Sequence, residues 1–390
     1  RLLGKQLQVL QGGQDGGVII VEGEAGIGKS RLLEDLLQQA EELGVTAFLG
    51  AGDAIEKSAA YHPWRAVFWD LFELNESADA EPPGAGRLSP GQRERVLAHL
   101  KTAVPEKLQL APLLNAVLPI DLPDNELTEQ MSGEVRGGNT QDLLAALLAD
   151  QARKRPLLMV LEDAHWLDSA SWALTRLVSR EVAPMLLVIA TRPLPDPLPA
   201  EYAILLQRTT THHLPLATLP PGEALQLVCL RLGVEALPEP VKELLLKKAS
   251  GHPFFSEEMA YALRDTGMIT IENGQSHLAL SVDELNALSF PDTIDSVITS
   301  RIDLLTAQQQ LTLKVASVIG RVFAFRMLRD IHPIAADKPF LPEQLGTLER
   351  LDITPLETPE PDLSYIFKHI ITQEVAYNLM SFAQRRGLHQ

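Results

Sequence analysis

Residues 23–30 read GEAGIGKS, a match to G-x-x-x-x-G-K-[ST]. Ahead of them Gly16-Gly17 punctuates the chain and Val18–Val21 form a short β-branched run. Behind them Leu32, Leu33, Leu36, Leu37 and Ala40 recur at helical spacing. A strand that ends in a glycine-rich turn and re-enters as a helix leaves few folds open. Glycines let the backbone wrap closely, so N–H groups along Gly23, Glu24, Ala25, Gly26, Ile27 and Gly28 converge on one concavity. The helix beginning near Lys29, Ser30 and Arg31 adds its positive N-terminal end. Such a cradle suits the phosphate chain of a nucleotide. Lys29 is expected to reach the β- and γ-phosphates and Ser30 to ligate Mg²⁺, so ATP/ADP (or another nucleotide of that kind) with Mg²⁺ is the expected ligand.

Three further motifs bear on chemistry. Residues 157–168, LLMVLEDAHWLD, are an apolar strand ending in acids, as a Walker B segment requires. We expect this strand to run beside the strand that enters the loop. Glu162 takes the metal-side place and Asp163 the water-activating place. That order is the reverse of the usual Asp-Glu pair and Asp is one methylene shorter, so either Asp163 or Glu162 is left to orient water. His165 either senses the γ-phosphate or caps the next helix, and Trp166 reads as packing. Residues 185–193, MLLVIATRP, form a strand ending in a polar pair, with Thr191 offering a hydroxyl and Arg192 a charge near the γ-phosphate. In SGHPFFSEE, residues 250–258, Gly251-His252-Pro253 separates two helices and puts Pro at a first turn; alone this is a helix boundary.

The strands and helices alternate up to about residue 217, which argues for an α/β domain with a parallel sheet, the P-loop NTPase kind (ASCE/AAA-like). Strands are expected at Val45–Leu49, Leu157–Leu161, Met185–Ala190 and His213–Leu216. Residues 63–74, 141–153 and 169–182 should be helical. Prolines break residues 75–140 into short pieces, read as a helical and loop insertion on the domain surface. Beyond 218 the pattern becomes helical, over 221–232, 238–250, 253–266, 292–306 and 308–318. Leu351–Pro355 and Leu363–Phe367 then read as a hairpin, which suggests a winged helix. The expected domains are 1–217 for nucleotide, 218–285 as a helical domain, to which the resemblance given below assigns the part of a helical lid, and 286–390 as a winged-helix domain.

Composition narrows the function classes. The net charge is −17 with a pI of about 5.0. Residues 286–390 carry 12 acids and 10 bases, a net of −2, so no basic footprint supports nucleic acid as a partner. No apolar run approaches the ~20 residues of a membrane helix, and no membrane partner is expected. Cys229 is the one cysteine and reads as a small core residue, which fits a reducing, cytoplasmic setting. The start at Arg1 suggests a piece of something longer.

Together these pieces resemble the STAND class of P-loop ATPases, and most closely the ATPase regions beside class III adenylyl cyclase domains and in related kinases and transcription regulators. Leu3-Gly4-Lys5, GEAGIGKSRLL, YHPWR at 61–65, LEDAHWLDSAS, ATRP, SGHPFF, FPDTIDSVITSRIDLL and YIFKHIITQEVAY carry the resemblance over nearly the whole chain. It implies a nucleotide-binding sheet, a helical lid and a winged helix that acts as a lid rather than a DNA reader. It also implies that Pro253 packs against adenine. His369 either touches the bound diphosphate or packs, and Arg301 either contacts phosphate or forms a structural ion pair. Such a module would be a slow ATPase switch governing attached output and TPR-like domains, and the class admits a nucleotide-dependent oligomer. An AAA+ remodelling ATPase, a winged-helix DNA-binding regulator and a small-molecule or nucleotide kinase are the rival readings.

Overall fold

Residues 1–53, 59–74, 87–280 and 292–389 are described by the computed structural model. The chain divides into two compact units, residues 1–24 with 28–216 and residues 25–27 with 217–390.

The first unit runs α1 (Leu2–Gln11), β1 (Gly17–Glu22), α2 (Lys29–Glu42), β2 (Thr46–Ala51), α3 (His62–Leu71), α4 (Pro90–Ala103), a 3₁₀ stretch (Pro105–Ala116), α5 (Glu126–Glu129) and α6 (Gly133–Lys154). It continues with β3 (Leu157–Glu162), α7 (Ser169–Glu181), β4 (Met185–Thr191), α8 (Ala200–Leu206) and β5 (Thr211–Pro215). The five strands pair in parallel in the order β2-β3-β4-β1-β5. Side chains alternate faces along a strand, and the core splits accordingly. Ile19, Val21, Leu158, Val160, Leu186 and Val188 pack with Leu3 and Leu7 of α1 and Leu33 and Leu36 of α2. Val18, Ile20, Leu157, Met159, Leu187 and Ile189 pack on the other face with Trp64 and Phe68 of α3, Leu144 and Leu148 of α6, and Leu174 of α7. Burial on both faces is why β3 and β4 read as continuous apolar runs rather than alternating ones.

Three expectations change. The β3 strand is not the neighbour of β1: β4 lies between them. Parallel strands joined by crossovers leave no local mark of their order. The strands still align at their carboxyl ends, with Glu22 opposite Thr191 and Leu161 opposite Ile189, so Glu162 at the end of β3 reaches Ser30 at the start of α2. Second, the proline-broken segment is packed more deeply than a surface insertion. Leu88, Val96, Leu100, Leu114 and Ile120 are buried in the same cluster as Trp64; residues 75–86 lie outside the described residues. Third, α6 begins at Gly133, well before Gln141, because Ser132 caps it by accepting from Val135 N–H.

The second unit begins with α9 (Pro221–Leu232), α10 (Glu239–Ala249) and α11 (Pro253–Asp265), then a hairpin of β6 (Ile269–Glu272) and β7 (Gln275–Leu278). It goes on with α12 (Ile294–Asp303), α13 (Ala307–Ile319), β8 (Val322–Ala324), α14 (Phe325–Ile331), α15 (Leu341–Arg350), β9 (Leu356–Thr358), β10 (Ser364–Ile366), α16 (Ile370–Asn378) and α17 (Phe382–Leu388). The expected hairpin is present but starts later, at Leu356, because Ile353 is buried at the end of α15 after a left-handed Asp352. β10 sits between β9 and β8, antiparallel to both. The 285/286 boundary expected from sequence falls in residues 281–291, outside the described residues.

Candidate functional site

The loop after β1 is built for an anion. Gly28 has φ 106° and stands before α2 as its N-cap with no side-chain hydrogen bond. An L side chain would be strained at that φ. The first N–H groups of a 14-residue helix are left without a capping side chain, and such orphan donors with the helix dipole favour a phosphate. Lys29, the first residue of α2, is buried and folds back over the loop: its Nζ donates to the carbonyl oxygens of Gly23 at 2.8 Å and Glu24 at 2.9 Å. Burial lowers its pKa, and Arg192 adds to that, while Asp163, Glu162 and Glu24 oppose it. Arg31 lies on the outer face of α2, paired with Glu34 at 3.3 Å and Asp35 at 3.5 Å. It can serve the loop only through its backbone N–H.

Ser30 Oγ donates to Glu162 Oε1 across the carboxyl edge of the sheet. A hydroxyl and a carboxylate are hard oxygen donors. Mg²⁺ is commonly held by one or two such protein ligands, the rest coming from phosphate and water, so this pair fits that ion. Among the described residues no group of three or more His, Cys, Asp or Glu could form an all-protein metal cage.

Asp163 follows in the left-handed region, φ 49° and ψ 41°. Its carbonyl accepts from Trp166 N–H at 2.9 Å, closing a short 3₁₀ turn over Ala164–Trp166. Gly52 makes room for that turn, since a Cβ there would stand 2.4 Å from the Asp163 carbonyl oxygen. Sequence reasoning passed over Gly52, because a single glycine after a strand carries no pattern. The helix cap that His165 was offered as belongs instead to Asp168, whose carboxylate accepts from Ser171 N–H at 3.0 Å. Among the described residues, neither ring nitrogen of His165 has a hydrogen-bond partner. Burial first, then Arg192 and Lys29, push its pKa down to about 4. Thr191 is fully buried and its hydroxyl donates to the Arg192 carbonyl at 2.8 Å. It is therefore engaged locally rather than aimed at a ligand. Arg192 itself lies close enough to lower the pKa of both Lys29 and His165.

In the second unit Pro253 opens α11 behind its N-cap His252, whose Nδ1 accepts from Phe255 N–H at 3.3 Å. Within the same unit His252 Nε2 lies 3.1 Å from the Ala25 carbonyl oxygen. His369 stands at the start of α16, its ring 4.1 Å from that of Phe254 and its Nε2 3.9 Å from Glu257 Oε2. Burial, helped by Lys368, Arg231 and Arg321, pushes its pKa to about 3. Arg301 is buried in an ion pair with Glu258 and Asp265, at 2.7 Å and 3.1 Å.

Residues 1–189 match the AAA ATPase domain family, and residues 221–277 match a domain of unknown function. Adenylate cyclase type 10 of Mus musculus is 24% identical over 326 residues, covering 74% of this chain and 20% of the cyclase. An uncharacterized protein of Rhizobium meliloti (strain 1021) is 26% identical over 393 residues, covering 96% of this chain and 34% of that protein. This chain thus spans only a fifth to a third of these relatives. Among solved structures, a STAND protein with a tetratricopeptide repeat sensor from Pyrococcus horikoshii matches with a TM-score of 0.50 and 12% identity, covering 98% of this chain and 43% of that one. Residues 1–189 are thus similar to AAA ATPase domains, and the fold of the chain is similar to that of the STAND protein. No helix among the described residues is long and apolar enough to cross a membrane.

Proposed function

We propose that this chain is a nucleotide-driven switch: it holds ADP in a closed form, exchanges it for ATP to signal to attached domains, and resets by slow Mg²⁺-dependent hydrolysis. The observation that carries this reading is the joined loop and sheet edge. The uncapped α2 terminus, Lys29 folded back onto Gly23 and Glu24, and the Ser30–Glu162 pair lie within one unit.

In this reading the loop N–H groups bind the phosphates and Lys29 turns from the Gly23 and Glu24 carbonyls to the β- and γ-phosphates. Ser30 and Glu162 would hold Mg²⁺, which would supply positive charge to offset that of the phosphates. Arg192 stabilises charge on the transferring group, and Asp163 or Glu162 orients water. The resemblance gives Pro253 the adenine face and His369 the diphosphate. The three-strand sheet β8-β10-β9 with α12–α16 around it supports the winged-helix reading of the C-terminal part. Its net charge of −2 over residues 286–390 favours a lid over a DNA reader. A nucleotide that binds one form better than the other shifts their populations by its differential affinity, and this is all a switch requires. The output is an attached domain, a cyclase among the candidates.

Calorimetric titration with ATP, with and without Mg²⁺, tests the metal half of this reading. Wild type should bind more tightly with Mg²⁺. Glu162→Gln should lose about ten- to a hundredfold of that metal-dependent gain and keep its metal-free affinity. Equal Mg²⁺ dependence in both proteins would remove Glu162 from the metal site.

A further inference from the structure

The Walker B turn holds a buried imidazole. His165 is 9% exposed, and neither ring nitrogen has a hydrogen-bond partner among the described residues. Buried imidazoles nearly always find partners, and leaving both nitrogens unsatisfied costs free energy. Its Nδ1 lies 3.8 Å from Asp163 Oδ1, short of a hydrogen bond in this form. Catalytic hydrogen bonds are often long without substrate and tighten when it binds. The ring packs against Trp166 with centroids 4.8 Å apart, which fixes its plane. Lys29 and Arg192, the two cations read as phosphate-binding, are near enough to act on it electrostatically. Asp163 is held in the left-handed region by the 3₁₀ turn, a backbone strain of the kind that gathers at functional sites.

We propose that His165 completes the hydrolytic site by holding the attacking water, with Asp163 fixing its tautomer. The proposal rests on the nucleotide-hydrolysing reading above. Asp163 accepts from Nδ1–H, and the opposite nitrogen, Nε2, accepts a hydrogen bond from water. The Asp–His pair supplies the reach that Asp163 alone lacks beside the usual Glu. The water oxygen bonds to the γ-phosphorus of ATP while the bond from that phosphorus to the β–γ bridging oxygen breaks. That oxygen leaves with the electron pair as part of ADP. The water's proton passes to a phosphoryl oxygen, so ATP and water give ADP and dihydrogen phosphate and the imidazole stays neutral.

The test compares single-site ATP turnover and equilibrium ATP binding for the full chain and for His165→Asn and His165→Gln. A Gln amide oxygen can stand near the place of Nε2, whereas Asn is too short to reach it. The Asn variant should bind ATP as wild type does and turn over about 100-fold more slowly, the scale on which misplacing a reacting group acts. The Gln variant should keep most of the rate. A purely packing role for the ring would affect both variants alike. Wild-type turnover in the Asn variant overturns the proposal and leaves the ATPase reading standing. Loss of ATP binding in both variants overturns it too, making His165 part of the binding loop's support. A wild type that binds ATP but never hydrolyses it sinks the hydrolytic reading and this proposal together. If the Asn variant does not fold, equal rates for the Gln variant and for His165→Leu refute the proposal by themselves.

Discussion

Lys29→Ala is expected to lower affinity for ATP and ADP by at least about 100-fold, the scale on which a single preorganised charge or donor acts in a phosphoryl site. The reason lies in where the ammonium sits. It is buried, it is already partly desolvated, and its partners in this form are two neutral carbonyls, Gly23 and Glu24. Exchanging neutral carbonyls for a phosphate turns a modest hydrogen bond into a charge-assisted one, and burial makes that gain larger than it would be in water. The fold should tolerate the change. Lys29 makes no ion pair within 4 Å among the described residues, and α2 keeps Leu33, Leu36 and Ala40 in the core. Nucleotide titration alongside thermal unfolding checks this: affinity should collapse while the melting temperature without nucleotide moves little. Retained affinity would mean the loop binds through its backbone alone.

Arg301→Ala should be the most damaging single change in the second unit, costing about 3–5 kcal/mol, the usual loss when one partner of a buried pair is removed. The guanidinium is 4% exposed. It donates to Glu258 at 2.7 Å, to Asp265 at 3.2 Å through Nε, and to the Leu351 carbonyl at 2.6 Å. It also lies 5.1 Å from the ring centre of Tyr261, whose hydroxyl donates to Asp352 at 2.8 Å. Burial already pushes the Glu258 carboxyl upward against the pull of Arg301. Removing Arg301 leaves that carboxylate buried with its main counter-charge gone. The sign with pH follows. In the variant Glu258 has a folded-state pKa raised above its unfolded value, so it binds protons more readily folded than unfolded. The deficit should therefore shrink as pH falls from 7 toward 5. Urea unfolding of Arg301→Ala, and of Arg301→Met with Glu258→Leu, checks it: the double variant should recover much of the loss, since the Glu258 charge is then gone and Asp265 keeps Arg264 at 2.7 Å. A double variant as unstable as the sum of its two singles would show that the pair is not coupled.

Much of the first unit was legible because parallel strands buried on both faces spell themselves as apolar runs. Leu157–Leu161 and Met185–Ala190 were bounded to within a residue, and the helices 221–232, 239–249 and 253–265 nearly so, since Pro221 and Pro253 mark their first turns. What local sequence does not encode is neighbourhood. The place of β4 between β1 and β3 depends on crossover paths, and the burial of Leu88, Val96 and Leu100 depends on Trp64 and Phe68 being there to receive them. The β6–β7 hairpin was readable and was missed: Asn273-Gly274, with φ 52° and 77°, is the strongest short hairpin signal there is. Strand β8 has three residues, too few for any period to show. At the site, the motif named the loop and the acids. It could not show that Asp168 rather than His165 caps α7, or that the Thr191 hydroxyl is engaged by its own neighbour, because both are decided by a backbone turn.

The most direct test of the switch is to load purified protein with labelled ADP and Mg²⁺, follow its release, and measure single-site ATP turnover on the same sample. The switch requires ADP to be retained through the experiment's washes and turnover well below ~1 s⁻¹, against a median near 10 s⁻¹ for ordinary enzymes. Rapid ADP release with fast turnover that rises with protein concentration would contradict it and point to a motor-like assembly.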